Sequence, residues 1–161
     1  MARRPATAER PPNRLYVVAT WAPRLTTIAV GALGPVTFAR GWYAYAGSAR
    51  RGRDARVARH FRRDKPLRWH ADHLFSLYPA TRWWTIDGPE TECDLVELLI
   101  AGGAAQRAVP GFGSTDCDCG GHLLQVAGVP AVTSALGDRC AVARRRSPRL
   151  DTDVDRIAQG A

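Results

Sequence analysis

The sequence predicts a small α/β domain of the α+β type, in which helices flank a mainly antiparallel central sheet with an added hairpin. The first third of the chain alternates runs of β-branched and aromatic residues with glycine turns, which is typical of an antiparallel meander. Helical periodicity follows in the middle of the chain. A chain of 161 residues, 45% of them hydrophobic, can bury one such core.

The predicted strands begin at Leu15, where a run of β-forming residues starts. The glycines and proline of 31–35 indicate a turn that closes the added hairpin, and Gly47 ends the fourth run. We expect the segment before residue 127 to be the last strand. In chain order the predicted strands are 15–21, 26–30, 36–38, 41–46, 83–86 and 123–126.

Three helices are predicted, at 54–63, at 69–77 and from Thr91 to the Gly102-Gly103 pair. Thr91 is a good N-cap, and Asp94 stands where a capping box places its acidic residue. In the first helix Val57 and Phe61 point to the core. Four basic side chains spaced three or four residues apart share another face of that helix, namely Arg56, Arg59, His60 and Arg63.

Composition divides the chain into three parts. Residues 1–13 are polar and proline-rich and predict a flexible arm without a signal peptide, residues 14–140 form the domain, and residues 141–161 predict an arginine- and aspartate-rich tail that is mobile or weakly helical. No apolar run has the ~20 residues that a membrane span requires. The four unevenly spaced cysteines argue against a disulfide scaffold and favour a reducing cytoplasm.

The positive charge is concentrated in one segment. Residues 50–68 contain nine basic and two acidic side chains, a net +7, against +8 for the whole chain. All but Lys65 of the basic residues are arginines, whose planar guanidinium groups suit bidentate phosphate contacts. This concentration of positive charge indicates a polyanion-binding surface, with a solvated helix face as the alternative.

Five motifs in order resemble the GIY-YIG nuclease superfamily. They are Leu15-Tyr16-Val17, the stretch 43–49 that contains Tyr45-Ala46-Gly47-Ser48, the helical Arg56 with His60 four residues on, the Glu92 that opens a later helix, and a branch-specific set at 69–74 and 111–123. That branch comprises small stand-alone proteins described as Uri-type endonucleases or as a domain of unknown function. The resemblance covers most of the domain, although Arg14, Leu15 and Ala46 replace the usual glycine and isoleucines.

The resemblance implies a GIY-YIG-like fold and a divalent-metal-dependent endonuclease that hydrolyses phosphodiester bonds in DNA. Glu92 would hold Mg²⁺ or Mn²⁺, since hard oxygen ligands suit these cations. Arg56 would clamp the scissile phosphate. Tyr16 or Tyr45 would orient or deprotonate the attacking water, which requires a neighbouring cation to lower a phenol pKa that is ordinarily ~10. His60 would transfer a proton or hold a phosphate.

Further residues are assigned to binding or support. We expect phosphate contacts from the remaining arginines of the basic segment, namely Arg50, Arg51, Arg53, Arg59, Arg63 and Arg68. A supporting role is expected for Gly47, Ser48, His70, Asp72, Asp116 and His122. The glycine-rich loop at 110–121 could bring backbone amides to a phosphate, with Asp116 as its polar contributor.

Zinc is an alternative metal for the same loop. Cys117, Cys119 and His122 are zinc-ligand types, but the C-x-C-x-x-H spacing is unusual and the sequence shows no obvious fourth ligand. The function therefore has three interpretations: a nuclease, a non-catalytic nucleic-acid-binding module of the same fold, and a zinc-stabilised interaction domain. For the nuclease we expect DNA as substrate, with RNA as the alternative, and low sequence specificity with recognition of DNA structure or damage. We also expect a DNA-repair partner protein and a monomer or weak dimer.

Overall fold

The computed structural model describes residues 14–86, 91–103 and 105–144. Within them, the strands are β1 (Leu15–Ala22), β2 (Thr26–Ala29), β3 (Pro35–Phe38), β4 (Gly41–Ser48), β5 (Arg82–Ile86), β6 (Ala105–Arg107), β7 (Leu123–Val126) and β8 (Cys140–Arg144). The helices are α1 (Arg53–His60), α2 (His70–Leu77), α3 (Glu92–Ala101) and α4 (Val129–Leu136), with short 3₁₀ turns at Gly31–Leu33 and Gly137–Arg139.

Six of these strands form one antiparallel sheet in the order β6-β7-β4-β1-β5-β8, and β2 pairs only with β3. The α+β fold class predicted from the sequence is confirmed. The predicted meander is wrong in one respect, because β1 pairs directly with β4 from Leu15↔Ser48 to Ala22↔Gly41. The added hairpin β2–β3 is thus an insertion that stands outside the main sheet.

Strand β1 is buried on both faces and separates two cores. Tyr16 and Val18 point into one core, together with residues of α1, α2 and β3. Leu15 and Val17 point into the other, with residues of α3 and α4. The period-2 alternation of strand side chains therefore gives a three-layer arrangement of helices, sheet and helices.

Helix α1 is shorter than the sequence predicted. It begins after Gly52, which adopts a left-handed conformation at φ 62°, and it ends at His60 rather than at residue 63. At this end of the helix the carbonyl of Arg59 accepts hydrogen bonds from the ammonium group of Lys65, at 2.8 Å, and from the backbone amide of Arg62, at 3.2 Å. Arg63 consequently lies beyond the helix and does not share the face of Arg56 and His60.

The C-terminal part of the domain contains more structure than predicted. Residues 123–126 form a strand as expected, but α4 and β8 follow, and β8 pairs with β5 up to Arg144. This pairing extends four residues into the segment expected to be mobile or weakly helical. The predicted arm at 1–13 and the tail residues 145–161 lie outside the described residues.

In the described part of the chain, no helix combines the length and the apolar character that crossing a membrane requires.

Candidate active site and metal centre

The two motif tyrosines lie on neighbouring strands and on the same face of the sheet. Val18 of β1 is the register partner of Tyr45 in β4, and Tyr16 is the partner of Gly47. Tyr16 is buried, and its hydroxyl lies 3.0 Å from Nε2 of His60 in α1. The absence of a side chain at Gly47 leaves room for the Tyr16 ring.

Tyr45 completes an aromatic cluster over His60. Its ring centroid lies 5.8 Å from that of His60 and 6.2 Å from that of Phe112 in the glycine-rich loop. Gly113, at φ 75°, packs so close to the Tyr45 ring that an added β-carbon would stand 2.8 Å from Cε2. The loop at 110–121 therefore forms one wall of the tyrosine pocket.

Burial sets the protonation of these groups. It raises the pKa of Tyr16 well above its ordinary value and raises that of Tyr45 as well. It also lowers the pKa of His60 to about 3, with the positive charge of Lys65 acting in the same direction. Both phenols are therefore protonated and the imidazole is neutral at neutral pH, whereas the sequence-based mechanism needed a lowered tyrosine pKa.

Arg56 and Glu92 reach the same pocket from opposite layers. Oε1 of Glu92, at the start of α3, accepts a hydrogen bond from the Ser48 hydroxyl at the end of β4. Nη1 of Arg56 lies 3.4 Å from the Ser48 carbonyl oxygen. Both charges act on both tyrosines, because Arg56 lowers and Glu92 raises the pKa of each phenol. The two tyrosines, the arginine and the glutamate therefore lie close enough to interact electrostatically, around the ends of β1 and β4.

A second cluster of ligand types lies next to Glu92. The sulfur atoms of Cys93, Cys117 and Cys119 and a ring nitrogen of His122 all lie within 4.8 Å of one another. Sγ of Cys117 is 3.3 Å from Sγ of Cys119 and 3.3 Å from Nε2 of His122, and Sγ of Cys93 is 3.6 Å from the same nitrogen. Asp116 is exposed and does not belong to this cluster.

Cys93 is the member of this cluster that the sequence did not predict. It stands on the first turn of α3, far in sequence from the loop that carries the other three, so spacing alone could not connect them. Burial, followed by the thiols of Cys119 and Cys117, raises the pKa of the Cys93 thiol to about 12. Burial lowers the pKa of His122, against the opposing effects of the Glu92 carboxylate and the Gly113 backbone.

Comparison with known proteins places this arrangement in a family. The family model described as "Domain of unknown function DUF123" matches residues 15–143, which include every strand and helix described above except the last residue of β8. The chain belongs to the DUF123 family. Neither the curated proteins nor the solved structures contain a match to it. The family description names no activity, so functional arguments for this DUF123 domain rest on its own residues.

Two arginines of the DUF123 domain stack on one exposed tryptophan. The guanidinium carbon of Arg56 lies 4.5 Å from the Trp69 ring centroid and that of Arg59 lies 5.0 Å from it. Such cation–π contacts restrict the orientation of a long side chain. Trp69 is 41% exposed, and it therefore holds Arg56 at the surface while its own ring remains accessible.

Asp72 has a structural role in α2. Its carboxylate is fully buried and accepts hydrogen bonds from Nε and Nη2 of Arg59, at 3.0 and 2.9 Å, and from the backbone amides of Arg68 and Trp69. Arg59 also donates to the Pro66 carbonyl. The guanidinium of Arg59, expected to bind a phosphate, is therefore engaged within the protein.

The other predicted binding and supporting residues differ in availability. Arg50, Arg51 and Arg68 are exposed. Arg63 is also exposed, and its guanidinium donates a hydrogen bond to the Leu77 carbonyl. Arg53 lies near Asp54, with 3.6 Å between Nε and Oδ1. His70 accepts a hydrogen bond of 3.0 Å from the Gly113 amide at Nδ1, which ties α2 to the glycine-rich loop.

Proposed function

We propose that this DUF123 domain is a divalent-metal-dependent endonuclease of the GIY-YIG superfamily that hydrolyses phosphodiester bonds in DNA. The observation that carries the proposal is the convergence of Tyr16, Tyr45, Arg56 and Glu92 on one site from four different elements. A nuclease requires a cation to offset phosphoryl charge, a carboxylate to hold a metal and a group to orient water. This pocket contains all three.

Glu92 fits the requirements of a magnesium or manganese ligand. Its carboxylate is partly exposed, lies beside the two phenols and is oriented by the Ser48 hydroxyl. Magnesium sites often use only one or two carboxylates and complete the shell with water and phosphate oxygens. A bound cation would polarise the phosphoryl group and lower the pKa of the attacking water.

Arg56 contributes the fixed positive charge on the opposite side of the pocket. Because a guanidinium does not lose its proton at any pH at which proteins are folded, it can offset charge on a phosphate oxygen throughout the reaction. The stacking on Trp69 and the contact with the Ser48 carbonyl restrain the Arg56 side chain before substrate arrives.

The tyrosines act in this proposal as protonated phenols that position water and phosphate. His60 is buried and neutral, and its ring nitrogen holds the Tyr16 hydroxyl at 3.0 Å, which makes it a positioning residue rather than a phosphate ligand. The exposed aromatic face of Trp69 and the arginines around it support binding of DNA with unpaired or distorted bases. We extend the proposal to recognition of DNA structure or damage at this surface, with a DNA-repair protein as partner.

The test is a cleavage assay on labelled single-stranded, nicked, flapped, branched and abasic DNA, with Mg²⁺ or Mn²⁺ and with divalent cations omitted. We expect metal-dependent cutting that Glu92→Gln and Arg56→Ala each reduce by about 10²–10³-fold, as removal of one electrostatic stabiliser does in other hydrolases. The matched controls are Glu97→Gln, an exposed glutamate on the same helix, and Arg24→Ala, an exposed arginine beyond the other end of β1.

Each outcome decides between the interpretations. Cutting that both site variants abolish and both controls retain supports the nuclease. Tight DNA binding without cutting in either metal would replace it with the non-catalytic binding module. Cutting of RNA in preference to DNA would change the substrate but keep the reaction class, and absence of any nucleic-acid binding would overturn the proposal.

A further inference from the structure

We propose that Cys93, Cys117, Cys119 and His122 bind one structural Zn²⁺ ion, and that this ion fixes the first turn of α3 to the glycine-rich loop. The proposal concerns a metal distinct from the cation assigned to Glu92. Its ligands are sulfur and imidazole nitrogen rather than oxygen, so the two sites select different metals. The zinc site does not depend on the proposed nuclease activity.

The distances between the ligand atoms fit a tetrahedral zinc centre. Zn–S bonds of about 2.3 Å and Zn–N bonds of about 2.0–2.1 Å place tetrahedral ligands about 3.8 Å apart for two sulfurs and about 3.6 Å apart for sulfur and nitrogen. The two S···N distances are 3.3 and 3.6 Å, and the Cys117–Cys119 S···S distance is 3.3 Å. All four ligand atoms lie within 4.8 Å of one another, which is close enough for one ion to contact all of them.

The donor set favours zinc over the other chemistries open to cysteines. Cys₃His is one of the established combinations for structural zinc, and four protein ligands leave no position open for catalysis. A disulfide is disfavoured, because the Cys117 and Cys119 sulfurs are at contact distance rather than at the ~2.05 Å bond length, and each remains free. Iron–sulfur clusters are most often held by four cysteines.

The imidazole has the supporting contacts of a metal ligand. Nε2 of His122 faces the sulfurs, and the ring forms a hydrogen bond with the Gly113 backbone. Metal-ligating histidines commonly use their second nitrogen in this way, which fixes the orientation of the ring. The His122 backbone is held too, since its amide donates to Phe112 at 2.7 Å and its carbonyl accepts from Ala46 at 3.1 Å.

The position of Cys93 gives the site its structural consequence. Three ligands come from one loop, and Cys93 alone comes from a helix on the other layer of the domain. Because Cys93 follows Glu92 directly, a metal that holds the cysteine also restrains the backbone that carries the carboxylate. The same loop packs Gly113 on Tyr45, so the zinc would brace two sides of the candidate active site.

The test is metal analysis of the wild-type full-length protein, followed by replacement of the native metal with Co²⁺. We expect about one equivalent of zinc per chain. The cobalt protein should show thiolate-to-metal charge-transfer bands and the intense visible bands of four-coordinate cobalt. Protein without a stoichiometric metal that also fails to develop these bands with added Co²⁺ would overturn the proposal.

Single substitutions assign the ligands. Cys93→Ser, Cys117→Ser and Cys119→Ser should each weaken zinc retention against a competing chelator by at least tenfold and reduce the cobalt charge-transfer intensity by about a third. The matched control is Cys140→Ser, in β8 at the opposite edge of the sheet, which should retain zinc and the spectrum. An unchanged spectrum in Cys93→Ser would remove α3 from the site and contradict the proposal.

Hydrogen exchange tests the bracing independently of cleavage. Careful removal of zinc from the wild-type protein should increase exchange in the first turn of α3 and in residues 111–122, while the central strands β1 and β4 keep their protection. Equal exchange with and without zinc would show that the ion does not fix α3. Where a cysteine variant fails to fold, the cobalt spectrum of the wild-type protein still tests metal binding at the site. The exchange measurement still tests whether the ion restrains α3.

Discussion

The ring of Tyr16 occupies the space that a side chain on its strand partner Gly47 would need. A β-carbon at Gly47 would lie 2.5 Å from the Tyr16 hydroxyl oxygen and 2.8 Å from its Cε2, both closer than real atoms approach. The two residues are directly opposed in the β1–β4 ladder. Gly47 therefore leaves room for Tyr16, the candidate catalytic residue on the neighbouring strand β1.

Gly47→Ala should destabilise the domain by about 1–3 kcal/mol, because an added methyl group in a filled site forces the neighbouring ring to move. Urea denaturation measures the change. Tyr16→Leu in the same background should recover part of the loss, so that the double variant is less than additive. Strict additivity of the two substitutions would contradict the steric explanation.

Arg59→Ala should act mainly on stability, by about 3–5 kcal/mol, because it leaves the buried Asp72 carboxylate without its cation. The matched control in the same segment is Asp54→Ala, which removes the more exposed pair with Arg53 and should cost at most about 1 kcal/mol. Chemical denaturation of both variants checks the comparison. If Arg59→Ala kept full stability but lost DNA binding, Arg59 would instead be a phosphate-binding residue.

The domain should lose stability as the pH falls from 6.5 toward 3, partly because of His60. In the unfolded chain this histidine has a pKa near 6.5, whereas burial lowers its native pKa to about 3. Between these values the unfolded state binds one more proton, so the free energy of unfolding falls by up to about 1.4 kcal/mol per pH unit on acidification. In His60→Gln the pH dependence over this window should be shallower, and the two curves should run parallel above pH 7. Identical slopes in the window would show that His60 is not the group responsible.

The exposed arginines should govern the salt dependence of DNA binding. Arg50→Ala, Arg51→Ala and Arg68→Ala should each lower the slope of log K against log salt by about one, and weaken binding equally for all sequences. Arg24→Ala, at the far end of β1, should leave the slope unchanged. Fluorescence anisotropy titrations between low and moderate salt give these slopes. If all four variants gave the same slope, the DNA would bind elsewhere on the domain.

Local patterns in the sequence predicted most of the fold. Strand alternation, the Thr91 capping box and the turn at 31–35 all depend on neighbours in the chain, and the corresponding elements form where expected. The end of α1 differs from the prediction because the backbone amides of Phe61 and Arg62 bond to carbonyls three residues earlier, which periodicity does not reveal. Strand β8 was missed because its partner β5 lies more than fifty residues earlier.

In the candidate site, too, local patterns predicted some features and contacts between distant residues determined the others. Tyr16, Tyr45, Arg56 and Glu92 were selected by motif and converge, but the partners that set their properties are distant in sequence. Burial raises the tyrosine pKa values instead of lowering them, because the pocket is formed by Phe75 and Phe112 from separate elements. Cys93 joins the loop cysteines only through the packing of α3 against the sheet, a tertiary contact that no spacing rule contains.

Alternate residues of β1 belong to different cores. The register of this strand therefore determines both the packing of the two cores and the position of Tyr16. A slip of one residue against β4 would turn Tyr16 toward α3 and bring Leu15 or Val17 to the candidate site. Single-residue insertions and deletions within β1 would thus disrupt both the packing of the cores and the arrangement of the candidate site. By contrast, the hairpin between residues 22 and 41 can change length without moving this register, since the β1–β4 ladder closes at Ala22↔Gly41 before the hairpin departs.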